Sequence, residues 1–161
     1  MATTPITILG IDPGYGRIGW GVIEGARNTW VHKAHGCIMT DPKQSLSERL
    51  CVIQEDLQEI ITRYSPQVAG VESLFFKKNV TTALQVAHAR GVMLVLLQQQ
   101  GIILHEITPL QVKQSITGYG KADKLQVQHM VSLLLGLKER RFQDDAADAL
   151  AVAFATTAFI R

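Results

Sequence analysis

The sequence is short of cysteine and of long hydrophobic runs, and each shortage excludes a class of protein. The 161 residues include two cysteines, Cys37 and Cys51, without the spacing of a metal site or a disulfide framework. We therefore expect reduced, buried thiols in a cytoplasmic protein. The longest wholly apolar run, residues 91–97, is too short to cross a bilayer, so we expect no membrane partner. Residues 1–5 lack the basic and apolar stretches of a secretion signal.

The chain also has little net charge, only +2, which by itself implies no charged partner. Its hydrophobic fraction of 47% is sufficient for one core, and the length predicts a single domain over residues 1–161. The charge is unevenly distributed, because residues 112–141 carry six cations against two anions. A basic segment followed by the acidic residues 144–148 is typical of a nuclease, although a solvated helical face is the commoner explanation.

Two short apolar runs each end in a carboxylate. Residues 7–11 lead to Asp12 and a Pro-Gly turn, and residues 67–71 lead to Glu72. Apolar runs bounded by turn residues predict buried strands. A carboxylate at the end of a core strand is well placed for a site, although Asp12 could equally shape the turn.

The rest of the chain predicts a mixture of strands and helices. Residues 17–24 and 29–40 complete an antiparallel meander with the first strand. Ser45 or Ser47 can cap a helix that Pro66 ends, and Glu48 lies three residues after Ser45, where it completes a capping box. The next helix runs to about Gln100 and is apolar on nearly all faces, which predicts burial on more than one side, by self-association or in the core. A strand at 102–107 and helices opening at Pro109, Asp123 and residue 146 follow.

The last helix begins with closely spaced aspartates. Asp145 and Asp148 lie at i and i+3, on one face of the helix, and Asp144 is a geometric alternative. Aspartate at a helix start is commonly only a cap. Asp148, however, lies within an apolar run of small residues, where an unpaired carboxylate costs several kcal/mol.

The four acids Asp12, Glu72, Asp145 and Asp148 are therefore candidates for one site. Carboxylates ~4 Å apart repel by roughly 4 kcal/mol per pair at an effective dielectric of 20, so such a cluster requires cations. Oxygen ligands favour Mg²⁺, with Mn²⁺ as a substitute, over zinc. Two such ions are the usual apparatus for displacement at a phosphodiester, which predicts two Mg²⁺ per site.

The segment after Glu72 has an unusual composition. Phe75 and Phe76 stand beside Lys77 and Lys78 in a predicted loop. Lysines bind phosphates while an aromatic ring stacks on or wedges between bases, which predicts a DNA contact. One of the two rings is expected to be exposed and the other to pack on the sheet, but the sequence does not say which.

These blocks resemble the RuvC family of bacterial Holliday-junction resolvases over almost the whole chain. The matching segments are GIDPG at 10–14, the Glu72-x-x-Phe75 loop with Asn79, ARGV at 89–92, Val112-Lys113, GYGKADK at 118–124 and DAADALAVA at 145–153. Several blocks in the right order make the resemblance specific.

The resemblance implies an RNase H-like α/β fold, with a mixed five-stranded sheet, helices on both faces and a homodimer. It places the acidic metal ligands at Asp12, Glu72, Asp145 and Asp148, the junction-contacting ring at Phe75, and DNA-binding lysines at Lys113 and Lys124. Lys77, Lys78 and Lys121 are added from their position in the basic segments.

It also implies a function in homologous recombination and DNA repair. The expected reaction is Mg²⁺-dependent cutting of four-way DNA junctions by paired symmetric nicks that leave 5′-phosphate and 3′-hydroxyl ends, with RuvA and RuvB as partners. Two alternatives are an RNase H-like nuclease of the YqgF type that processes RNA, and a catalytically inactive junction-binding protein. The first should lack the Phe75 loop and the GYGKADK segment, and the second should lack some of the carboxylates.

Overall fold

The strands form one mixed five-stranded sheet in a computed structural model that describes residues 4–73, 80–137 and 144–160. They are β1 (Ile6–Asp12), β2 (Arg17–Ala26), β3 (Thr29–Met39), β4 (Val68–Glu72) and β5 (Ile103–Ile107), in the spatial order β3-β2-β1-β4-β5. The first three strands pair antiparallel, whereas β4 runs parallel to both β1 and β5. The predicted sheet and its antiparallel meander are therefore confirmed.

Five helices cover the two faces of this sheet. They are α1 (Leu46–Tyr64), α2 (Val80–Gln99), α3 (Pro109–Thr117), α4 (Lys124–Leu134) and α5 (Asp144–Thr156), followed by a 3₁₀ turn at Thr157–Phe159. Leu9 and Ile11 pack with α1 and α2 on one face, while Ile8 packs with α3, α4 and α5 on the other. The alternation of side chains along β1 therefore creates two cores, one on each face.

The first helix forms where its capping residues predict it. The Ser45 side chain accepts a hydrogen bond from the Glu48 N–H, and Glu48 accepts one from the Ser45 N–H in return. Ile53, Leu57 and Ile61 then recur every four residues and are buried against the sheet. Ser65 adopts the left-handed conformation that ends the helix before Pro66.

Two expectations about individual elements are wrong, and a third is answered only in part. The second helix packs one stripe in the core, formed by Ala89, Met93, Leu96 and Leu97, and burial of a further side by self-association stays a prediction. By length and composition α2 could cross a membrane, but this stripe lies in the core beside α1. Cys51 is exposed because it lies on the outer face of α1, and Cys37 is half-buried because it lies on the edge strand β3. The last helix begins at Asp144, two residues earlier than predicted, and ends at Thr156.

Helix α5 lies unusually close to the sheet. A Cβ atom added to Gly10 would come within 2.1 Å of the Ala149 carbonyl oxygen, and one added to Gly19 within 1.9 Å of the Asp145 carbonyl oxygen. Gly19 is also the antiparallel partner of Asp12 at the end of β1. Contact between the glycines and the small residues of α5 therefore brings the start of the helix next to Asp12.

We expect Gly10→Ala to destabilise the protein by at least 2–3 kcal/mol, about the cost of overpacking a rigid core. The reason is that the obstructing atoms belong to the backbone of α5 and cannot rotate away. Gly16→Ala is the matched control, because the nearest atom to its added Cβ atom is the end of the Arg49 side chain, at 3.5 Å. It should change the free energy of unfolding by less than about 0.5 kcal/mol. Urea unfolding measures both, and equal effects of the two changes would contradict the close-packing argument.

Candidate active site

An open cavity of about 240 Å³ lies where β1 and β4 end. Asp12 and Glu72 are the last residues of these two parallel neighbours, and the preceding pair, Ile11 and Val71, lies directly opposite in the register. Asp148 reaches the same cavity from α5, and Lys113 and Lys124 reach it from α3 and α4. Three of the four predicted acids and two of the predicted lysines therefore line one space.

The two strand-end carboxyl groups are paired with each other. Asp12 is hydrogen-bonded to Glu72. Burial of the side chain, followed by the charges of Glu72 and Asp148, raises the pKa of Asp12 to about 8. Burial also raises the pKa of Glu72, while its hydrogen bond with Asp12 opposes that rise. At neutral pH, Asp12 therefore holds a proton that it shares with Glu72, and the cavity has more negative charge than its surroundings can stabilise.

Asp148 is stabilised by a lysine. Its carboxylate lies 3.0 Å from the Lys124 ammonium group, so the apolar helix does not carry an unpaired charge. Burial raises the pKa of Asp148, against the opposing effect of the hydrogen bond from Lys124. Partial burial lowers the pKa of Lys124, but the hydrogen bond and the charge of Asp148 outweigh it, so the net shift is upward. The lysine therefore remains charged beside the carboxylate.

Asp145 is not among the residues that line the cavity. Its carboxylate lies 3.1 Å from Nε of Arg17, the first residue of β2. Asp144, the alternative acid, is 71% exposed and lies 3.6 Å from Lys124. Asp145 thus lies beside the other acids without sharing their cavity, and Asp144 lies further out towards solvent.

Among residues 4–73, 80–137 and 144–160, no three acidic, histidine or cysteine side chains are grouped closely enough to hold a metal ion as they stand. Mutual repulsion and the two ion pairs explain this separation, because Arg17 and Lys124 each hold one acid. The donor set nevertheless fits a hard divalent cation, since it consists of carboxylates with excess negative charge. For all four acids to hold one ion group, the side chains of Asp145 and Asp148 would have to rotate away from Arg17 and Lys124.

The loop that follows Asp12 is fixed by a buried arginine. Arg49 of α1 donates from Nε to the Thr40 hydroxyl at 2.8 Å, and its guanidinium lies 3.6 Å from the centre of the Tyr15 ring. The Thr40 hydroxyl in turn donates to the Tyr15 carbonyl oxygen at 2.8 Å. These contacts join α1, the end of β3 and the residues after Asp12, and so restrict how the site can move.

The remaining predicted residues are distributed as follows. Lys121 is exposed in the loop before α4. Phe75, Lys77 and Lys78, together with Phe76, lie outside the described residues. The sequence analysis missed Arg17 and Arg49, although a cation five residues after Asp12, at the start of the next strand, was a usable signal.

Comparison with known proteins gives one consistent result. The family model for crossover junction endodeoxyribonuclease RuvC matches residues 8–156. The Thermosipho melanesiensis RuvC is 52% identical over 147 residues, covering 91% of this chain and 94% of that relative. The Petrotoga mobilis RuvC is 50% identical over 149 residues, covering 92% and 91%.

The solved structures agree with these relatives. The T. thermophilus RuvC, solved in complex with Holliday junction substrate, has a TM-score of 0.91 and 32% identity, covering 97% of this chain and 95% of that one. A second Thermus thermophilus RuvC structure has a TM-score of 0.87 and 33% identity. These matches confirm the predicted RNase H-like fold.

We expect metal-free protein to lose stability as the pH rises towards 8. In the unfolded chain the Asp12 carboxyl ionises near 3.8, whereas in the folded state it holds its proton up to about 8. The folded state therefore binds the extra proton between these values, and its free energy of unfolding falls with rising pH. Between pH 6 and pH 8, the free energy of unfolding should therefore fall by about 1–2 kcal/mol more in wild type than in Asp12→Asn.

Urea unfolding in EDTA at both pH values measures this difference. Glu55→Gln, which alters an exposed carboxylate of α1, is the control and should leave the wild-type pH dependence unchanged. An Asp12→Asn protein with the same pH dependence as wild type would show that Asp12 is already ionised in the folded state.

Proposed function

Because the chain belongs to the RuvC family of crossover junction endodeoxyribonucleases, we propose that it resolves four-way DNA junctions by paired symmetric nicks in strands of like polarity. The products are ligatable 5′-phosphate and 3′-hydroxyl ends. The observation that carries the proposal is the cavity in which Asp12, Glu72 and Asp148 face Lys113 and Lys124. A carboxylate group beside lysines suits a metal-dependent reaction on a phosphate backbone.

The acids Asp12, Glu72, Asp145 and Asp148 are proposed to hold two Mg²⁺ ions, for which Mn²⁺ can substitute. When bound, such ions activate water as the nucleophile and stabilise the leaving 3′ oxygen. Asp12 has to give up its shared proton for this role, and Asp145 has to leave Arg17. Since a carboxyl group has to be ionised to act as a metal ligand, metal affinity is expected to rise with pH up to about 8.

The cations have a second role in this proposal. Lys124 neutralises Asp148 before substrate arrives and is free to contact phosphate once a metal ion replaces it. Lys113 lines the cavity from α3, and Lys121 extends the basic surface beyond it. Phe75 remains the proposed junction-contacting ring, with Lys77 and Lys78 beside it. Together these residues would follow the DNA backbone away from the cut.

We propose that the protein is a homodimer that associates through α2. Leu50 and Gln54 of α1 and His88, Val92 and Val95 of α2 line an apolar groove of about 640 Å³. Val95 is 58% exposed, although it lies in an apolar helix. A dimer would place two active sites on one junction, which symmetric cutting requires. The branch-migration proteins RuvA and RuvB are the proposed partners, and the cytoplasm is the proposed compartment.

Asp12→Asn should abolish junction cutting while leaving binding within about threefold of wild type. The variant keeps the size of the side chain but cannot supply the charge that a metal ligand provides. A synthetic mobile four-way junction tests cutting in Mg²⁺ and binding in Ca²⁺. Linear duplex and RNA–DNA hybrids of the same sequence serve as competing substrates, and equal cutting of these would overturn the resolvase proposal.

Val95→Asp should convert the dimer to a monomer, because it buries a carboxylate in the apolar groove of the partner. Leu133→Asp is the matched control, since Leu133 is similarly exposed but lies on α4. Sedimentation velocity measures the mass of each, and the control should remain dimeric. A dimeric Val95→Asp protein would place the interface elsewhere.

A further inference from the structure

The loop between α3 and α4 presents an aromatic ring to solvent. Tyr119 is 58% exposed, and among the described residues its hydroxyl makes no hydrogen bond and its ring no stacking contact. Gly118 and Gly120 flank it, so no neighbouring side chain of the loop covers it. A single exposed apolar residue is ordinary on a protein surface. A function for this ring therefore has to be argued from its position and from the backbone that holds it.

The backbone beneath the ring is firmly held. The Tyr119 N–H donates to the Thr117 hydroxyl at 3.1 Å, and that hydroxyl lies 3.0 Å from the Tyr119 carbonyl oxygen. The Ala122 N–H donates to the same carbonyl at 3.1 Å. Gly118, in the left-handed conformation, ends α3, and the Leu110 side chain packs against Gly120. The backbone position from which the ring projects is therefore set before any ligand binds, which reduces the entropy lost on stacking.

The loop is connected directly to the active-site cavity. Helix α3 brings Lys113 to the cavity and ends two residues before Tyr119. Helix α4 begins five residues after Tyr119 with Lys124, which lines the same cavity. Lys121 lies between the ring and α4. Tyr119 thus lies in the loop that joins the two helices supplying Lys113 and Lys124 to the cavity, two residues before Lys121.

We propose that Tyr119 stacks on an unpaired or unstacked nucleobase of the bound DNA, next to the strand that is cut. A flat ring among phosphate-binding lysines is the arrangement that holds single-stranded nucleic acid, because every base has a π face. A tyrosine suits a partly wet position, since its hydroxyl remains solvated while the ring is covered. The inference rests on the proposed junction function, and it assigns a second aromatic contact that is separate from Phe75.

Junctions carrying 2-aminopurine at single positions near the crossover test this contact in Ca²⁺, which supports binding without cutting. At one position wild type should quench the fluorescence, and Tyr119→Phe should quench it equally because the ring is retained. Tyr119→Ala should lose that quenching and bind the junction on the order of tenfold more weakly. Leu133→Ala removes an equally exposed apolar side chain from the far end of α4 and should match wild type in both measurements.

Each outcome has a separate meaning. The stacking contact would be overturned if Tyr119→Ala bound the junction more weakly but quenched the fluorescence at every position as wild type does. It would also be overturned if Tyr119→Ala matched wild type in both affinity and quenching. If Tyr119→Phe and Tyr119→Ala lose quenching and affinity to the same extent, the effect belongs to the hydroxyl, and the proposal is overturned as well. Thermal unfolding of each variant checks that the loop is intact. If wild type fails to bind junctions at all, the proposed function fails first, and that result is distinguishable from these.

Discussion

The close approach of α5 to the sheet is the constraint on which the rest of the structure depends. Gly10 and Gly19 remove the side chains that would hold the helix away, and alanines of α5 fill the narrow space that remains. A helix at ordinary distance from the sheet would leave Asp148 too far from Asp12 and Glu72 to share a cavity with them. Packing of small residues therefore comes first, and the acidic site is its consequence.

That packing forces like charges together, and the protein stabilises them in three ways. Asp12 keeps a proton and shares it with Glu72, Lys124 neutralises Asp148, and Arg17 holds Asp145. In the proposed metal-bound state, a divalent ion would take the place of the proton on Asp12 and of the two cations, Lys124 and Arg17. The destabilised carboxylates are thus typical of a functional site built at some cost to stability.

The surroundings of the site divide into a rigid part and an exposed part. Arg49 ties the loop after Asp12 to α1 and β3, and a capping box begins each of α1, α3 and α4. Lys121, Tyr119 and Val95 are exposed, and within the described part of the chain no hydrogen bond, ion pair or ring contact of their side chains explains them. An exposed group on a fixed backbone loses little conformational entropy when a partner binds. The proposals on DNA binding and on self-association are based on these groups for that reason.

Much of this could be predicted from the sequence. Capping residues, helical periodicity and apolar runs determined the order of strands and helices, because those signals act between neighbours in the chain. The motifs placed the chain in a family and marked the acids. The sequence could not show which stripe of α2 packs in the core, that Asp145 pairs with Arg17, or that Arg49 holds the Asp12 loop. These depend on which surfaces meet after folding, between residues far apart in sequence, and only the tertiary structure decides them.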